Sequence, residues 1–169
     1  MPLTALVPLK APSEAKERLA ALLSPDERAE LARVTFRTVA DALFEAGVPC
    51  VVLTPSASET ADLTAGRCAV IEEQPGVRGL SAQLEAALDG AVFAGHDAVL
   101  ILHADLPLAS ARAIRLLVAA TRGDRAGVTM VESADGGTNA MFLRLPRPFA
   151  LPVSYPHLRA HETVLDLVC

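Results

Sequence analysis

Tryptophan is absent, tyrosine occurs once and aromatic residues make up 4% of this 169-residue chain. A stacking platform for single-stranded nucleic acid is therefore not expected. A basic excess is missing too: the net charge is −5 and the isoelectric point near 5.3, which excludes a phosphate backbone as the main partner. Hydrophobic residues reach 51%, yet no apolar run approaches the roughly 18 residues needed to span a bilayer, so no membrane partner is expected. The opening Met1-Pro-Leu-Thr-Ala lacks the basic flank and cleavage site of a signal peptide. The three cysteines (Cys50, Cys68 and Cys169) are odd in number and lack metal-site spacing, which reads as reduced thiols in a cytoplasmic protein. Neither G-x-G-x-x-G nor the P-loop pattern G-x-x-x-x-G-K-[ST] is present, which removes two standard phosphate cradles.

The order of apolar runs and turn signals is alternating β and α, in one domain large enough for a proper core. Strands are expected at Thr4 to Pro8, Cys50 to Thr54, Cys68 to Ile71, Val99 to Leu102, Gly127 to Val131 and Ala140 to Leu143. Ser24-Pro25-Asp26-Glu27 supplies an N-cap, a proline at the first helical position and a capping-box glutamate. The helix it opens carries Leu31, Val34, Val39, Ala42 and Leu43 on one face and stops at Gly47. Leu80, Leu84, Leu88 and Val92 mark a second helix, and Ile114, Leu117 and Val118 a third. The expected fold is an α/β, Rossmann-like, mostly parallel sheet with helices on both faces.

Two stretches carry candidate chemistry. Asp105 follows an unalternating apolar run, at the carboxyl end of a strand, where open α/β sheets place ligands. A carboxylate on that rim suits Mg²⁺, which prefers oxygen ligands and keeps waters and phosphates; the structural alternative is a turn before Pro107. Lysine is nearly absent, and its two occurrences, Lys10 and Lys16, fall in the loop after the first strand, joined by Arg18. Compact point charges gathered in one loop fit a polyphosphate clamp, and a solvated basic turn is the plainer reading.

Four ordered motifs carry a resemblance. They are Leu6-Val-Pro-Leu-Lys10 followed by Ala15-Lys16-Glu17-Arg18-Leu19, then Gly79-Leu80-Ser81-Ala82, Ala104-Asp105-Leu106-Pro107, and Gly136-Gly137-Thr138-Asn139-Ala140. Together, over roughly residues 3 to 150, they resemble the 2-phospho-L-lactate/phosphoenolpyruvate guanylyltransferase family of coenzyme F-420 biosynthesis. The resemblance implies a nucleotidyltransferase fold of the GT-A type. It also implies transfer of GMP from GTP to a small phosphorylated carboxylic acid, with Mg²⁺ as cofactor and pyrophosphate released. By the same resemblance Pro8, Leu9, Lys10, Lys16, Arg18, Gly79, Leu80 and Ser81 would bind the nucleotide. Lys16 and Asp105 would be catalytic, Asp105 the metal ligand, and Thr138 and Asn139 would hold the acceptor. GTP and the acid are the expected partners, with a homodimer left open.

Departures from the family pattern are Ser81 where asparagine is usual, and His103 where a proline or small residue is usual. His103 reads as a rim or core histidine rather than a metal ligand. The largest departure is the end of the chain, where residues 1–153 read as a domain incomplete at its C-terminus. Residues 154–169 read as a non-native tail or an amphipathic terminal helix, and His157, His161 and Cys169 within them carry no metal-site reading. The alternatives to the guanylyltransferase are a non-catalytic nucleotide-binding remnant and another nucleotidyltransferase, such as a molybdenum-cofactor guanylyltransferase. Against the last, no glycine occurs from Leu3 to Ala46, where those enzymes have a glycine-rich loop.

Overall fold

The apolar runs of the first hundred residues become strands β1 (Leu3–Pro8), β2 (Cys50–Thr54), β3 (Cys68–Glu72) and β4 (Ala98–Leu102). β5 (Val128–Glu132), β6 (Thr138–Arg144) and the two-residue β7 (Thr163–Val164) follow. Helices α1 (Pro25–Ala46), α2 (Ala57–Thr64), α3 (Leu80–Leu88) and α4 (Ala111–Arg122) lie between them. The computed structural model describes residues 2–14, 16–122, 127–133, 137–146, 151 and 163–164.

The seven strands form one sheet in the order β3-β2-β1-β4-β6-β5-β7. β1, β2, β3 and β4 pair in parallel, as does β7 with β5, while β6 runs antiparallel to both β4 and β5. The reversal at β6 follows from chain length. Ser133 donates its N–H to the Gly137 carbonyl, closing a hairpin, and so short a connection cannot carry the dozen or more residues of a parallel crossover. Strands β2 and β3 grow from one side of β1, and the chain then returns to lay β4 on the other side. That return makes a topological switch point at the carboxyl ends of β1 and β4.

Strand residues alternate between two cores, which is why the central runs show no polar face. Ala5, Val7, Val52 and Leu100 pack with Phe36 and Leu43 of α1, Leu63 of α2, and Ile114 and Leu117 of α4. Leu6, Val51, Val99 and Ile101 point the other way, into Leu84 and Leu88 of α3 and into Phe93. Helix α1 begins at the expected cap: Ser24 Oγ accepts from the Glu27 N–H, and the Glu27 carboxylate accepts from the Ser24 N–H at 2.8 Å. It ends at Gly47, whose φ of 73° a side chain would strain.

Several expectations need correction. Val39, Ala42 and Leu43 are buried as expected, but Val34 is 49% exposed, and Ala32, Thr35, Phe36 and Ala40 complete the buried face of α1. The second expected helix stops at Leu88 and gives way to a 3₁₀ turn at Ala91–Phe93, which leaves Val92 exposed. Helix α2 was not foreseen, because its eight polar-rich residues bury only Thr60, Leu63 and Thr64. Thr163 and Val164 pair as a strand beside β5 rather than joining a helix. His157, His161 and Cys169 lie outside the described residues, as does Gly136 of the last motif. No helix among the described residues is long and apolar enough to cross a membrane.

β3 is an edge strand that leaves Cys68 half-buried beside the buried Cys50 in register. Both are free thiols. Their mutual hydrogen bond lowers the Cys68 pKa, helped by the Arg67 guanidinium, and together with burial it raises that of Cys50. Since the thiolate is the nucleophile, iodoacetamide should label Cys68 at least about tenfold faster than Cys50 at neutral pH, read by peptide mass mapping. Equal rates would contradict this polarity.

Candidate functional site

The loop after β1 and the turn after β4 leave the sheet side by side, on opposite sides of the switch point. After Pro8 the chain continues along β2, with the Leu9 N–H bonded to the Leu53 carbonyl at 2.8 Å. It then makes two 3₁₀ turns, Pro12–Glu14 and Glu17–Leu19. Lys16 precedes the second turn with φ 57°, ψ 34°, the left-handed region that a β-carbon disfavours. That conformation accompanies a specific contact: Lys16 Nζ donates to Asp105 Oδ2 at 3.0 Å, across 89 residues of sequence. The side chains are 22% and 58% exposed, so solvent screens the pair. An exposed pair of this kind contributes about 0–1 kcal/mol, weak enough for either partner to exchange it for a ligand.

Around this pair lies a cleft of about 510 Å³. Pro8, Leu9, Lys10 and Lys16 line it from the β1 side, Asp105 with His103 and Ala104 from the β4 side, and Gly79 and Leu80 from the start of α3. Leu9 is 6% exposed and belongs to the core, so its contribution to the cleft is chiefly backbone. Gly79 turns the chain into α3 at φ 89°, a conformation open to glycine, and it has no side chain with which to cap the helix. The first amides of α3 thus start at the cleft wall, a favourable place for negative charge.

Two residues expected at the nucleotide site are not among those lining the cleft: Arg18 is exposed on the second 3₁₀ turn, and Ser81 is half-buried one residue beyond Leu80. Because β6 runs antiparallel, Thr138 and Asn139 at its start reach the same rim as the end of β4. The His103 N–H donates to the Asn139 carbonyl at 3.3 Å. Asn139 lines a second cavity of about 320 Å³, largely apolar and built on Leu106, Ile114 and Val131, and Asp105 borders both cavities. Thr138 is half-buried and lines neither.

Sequence reading missed Gln83, Glu73, Ala32 and Thr35, all of which line the cleft. Gln83 directly follows the Gly79-Leu80-Ser81-Ala82 motif, where no pattern signalled it. His103 sits half-buried on the wall; burial lowers its pKa, and the Asp105 charge only partly offsets this. Among the described residues there is no group of three or more His, Cys, Asp or Glu side chains that could hold a metal. Asp105 alone fits a hard cation of the kind held by one carboxylate, waters and phosphate oxygens.

Comparison with known proteins shows the family and the fold. The family model described as "Guanylyl transferase CofC like" matches residues 3–161. The chain is 41% identical over 143 residues to a phosphoenolpyruvate guanylyltransferase of Sphaerobacter thermophilus, covering 84% of this chain and 68% of the relative. It is 38% identical over 159 residues to a 2-phospho-L-lactate guanylyltransferase of Halomicrobium mukohataei, covering 94% and 69%. Among solved structures, a protein described as a nucleotide-diphospho-sugar transferase from Desulfovibrio desulfuricans superposes with a TM-score of 0.72 at 17% identity, covering 84% of this chain and 63% of that one. A Mycobacterium tuberculosis protein solved in complex with manganese gives a TM-score of 0.53 at 15% identity, over 85% and 72%. At such identities the structural likeness concerns the fold alone.

Proposed function

Since the chain belongs to the CofC-like guanylyl transferase family, we propose that its cleft transfers GMP from GTP to a small phosphorylated carboxylic acid, phosphoenolpyruvate or 2-phospho-L-lactate, in coenzyme F-420 biosynthesis. The observation that carries the reading is the Lys16–Asp105 contact. It joins, at the switch point of the sheet, two residues singled out on separate grounds: one as a phosphate clamp and one as a metal carboxylate.

The chemistry asks little of the protein beyond positioning and charge. The acceptor's phosphate is already anionic at neutral pH. One of its oxygens attacks the α-phosphorus of GTP, forming one P–O bond as the bond to the β-phosphate breaks. The electron pair leaves with pyrophosphate, so no Ser-His-Asp machinery is needed. Repulsion between anions dominates the barrier. Lys10 and Lys16 hold the triphosphate, and Lys16 exchanges the Asp105 carboxylate for phosphate oxygens when nucleotide enters. Backbone N–H groups at the start of α3 face the nucleotide at Gly79 and Leu80, with Ser81 behind them. Asn139 brings the acceptor to the far side of Asp105, with Thr138 supporting it from the preceding position of β6. Mg²⁺ held by Asp105 would neutralise charge on the phosphates and on departing pyrophosphate. Arg18, exposed on the turn just after Lys16, steers anions rather than gripping them. Two free thiols suit a reducing cytoplasm.

Pyrophosphate release tests this reading and names the acceptor. With GTP and Mg²⁺, release should depend on phosphoenolpyruvate or 2-phospho-L-lactate and be absent with GTP alone. Release without an acceptor, or none with either acid, would contradict it.

A further inference from the structure

Gln83, on the first turn of α3, is 4% exposed and forms part of the cleft wall. Its Oε1 accepts from the Gln74 N–H at 2.8 Å, and its Nε2 donates to the carbonyls of Gln74 and Val77, both at 3.0 Å. One side-chain amide thus commits its two protons and its oxygen to a single short stretch of backbone. That stretch contains Pro75 and Gly76, the latter at φ 84°, and closes on itself through the Val77 N–H to the Gln74 carbonyl at 3.2 Å. Gln74, Pro75, Gly76 and Arg78 are exposed, so little apolar packing fixes them. The flanking residues Glu73 and Gly79 line the same cleft as Lys10 and Lys16. Buried amide groups stripped of partners are costly, so the loop keeps the shape that Gln83 dictates.

We propose that Gln83 is a positioning residue of the nucleotide site. By holding the loop from Gln74 to Gly79 it fixes the wall that receives the nucleoside part of the triphosphate, and it sets nucleotide affinity without touching the reacting phosphates. The inference rests on the guanylyl-transfer reading and deepens it. A residue that serves the fold alone would lower stability and every kinetic constant together, whereas Gln83 acts on one substrate.

Two variants test this. Gln83→Met keeps the volume and removes all three hydrogen bonds. Gln83→Glu keeps the acceptor for the Gln74 N–H but sets a carboxylate against two carbonyl oxygens. Both should raise the KM for GTP by about tenfold or more while kcat and the KM of the phosphorylated acid stay within about threefold. Unliganded, both should also be cut by trypsin after Arg78 faster than the parent, and saturating GTP should slow the cut in the parent. An unchanged KM for GTP, a parallel loss of kcat and acid affinity, or failure of both variants to fold would overturn the proposal. If the parent releases no pyrophosphate with GTP and either acid, guanylyl transfer itself fails and takes this inference with it. If GTP protects parent and variants equally, only the role of Gln83 fails.

Discussion

Asp105→Asn should lower acceptor-dependent turnover by about a hundredfold or more, equivalent to roughly 3 kcal/mol of lost transition-state stabilisation, and leave the unfolding midpoint within a few degrees. The two halves of this expectation come from different facts. Asp105 is 58% exposed and is held by the screened pair with Lys16, so asparagine, with the same shape, disturbs the fold little. Function is another matter, because Asp105 borders both cavities, where the proposed nucleotide and acceptor sites adjoin. Removing its charge there takes away the carboxylate best placed to hold a cation between two anionic substrates. Steady-state kinetics across Mg²⁺ concentrations, alongside thermal unfolding, checks both halves. A loss below about fivefold at saturating Mg²⁺ would show that Asp105 only shapes a turn.

Lys16→Ala should lower kcat/KM for GTP by about ten- to a hundredfold, the range expected when a charged hydrogen bond of roughly 1.5–3 kcal/mol is lost. Alanine is the informative choice because it keeps a β-carbon at φ 57°, so the backbone gains no relief and the change isolates the ammonium group. The variant also frees Asp105 from its partner. If Lys16 competes with a cation for that carboxylate in the empty cleft, Lys16→Ala should bind Mg²⁺ no more weakly than the parent even as GTP binding falls. Lys10→Ala should show a smaller loss, since Lys10 is exposed at the cleft and no ion pair links it to Asp105. Equal GTP affinity in parent and Lys16→Ala would remove the phosphate-clamp role.

Much of the fold was legible because its signals are local. Ser24, Pro25, Glu27 and Gly47 bracket α1 by cap chemistry that needs no tertiary context. The unalternating runs at Cys50 to Thr54 and Val99 to Leu102 follow from burial on both faces. What escaped depends on partners distant in sequence. Val34 fits the apolar stripe of α1 by spacing, yet it sits where no layer covers the helix. Helix α2 is held by capping rather than by a stripe: Ser56 accepts from the Glu59 N–H, and Glu72, from β3, accepts from the Ala57 N–H at 2.9 Å. At the site, Lys16 and Asp105 stood out by residue type and by place at strand ends, and the fold brings them together. Gln83 did not stand out, because a glutamine on a helix says nothing about itself until the loop it binds has folded against it. Arg18 was expected beside Lys16 on the nucleotide's phosphates, but of the two it is Lys16 that reaches across the cleft to Asp105.

The most direct measurement is a structure of the protein with Mg²⁺ and a GTP analogue whose α,β-bridging oxygen is replaced so that transfer cannot occur. The expected result is a triphosphate lying between Lys10 and Lys16, with Lys16 Nζ moved from Asp105 to phosphate oxygens and the nucleoside against Gly79 and Leu80. An analogue bound elsewhere, with the Lys16–Asp105 contact intact at 3.0 Å, would contradict the site and the proposed chemistry with it.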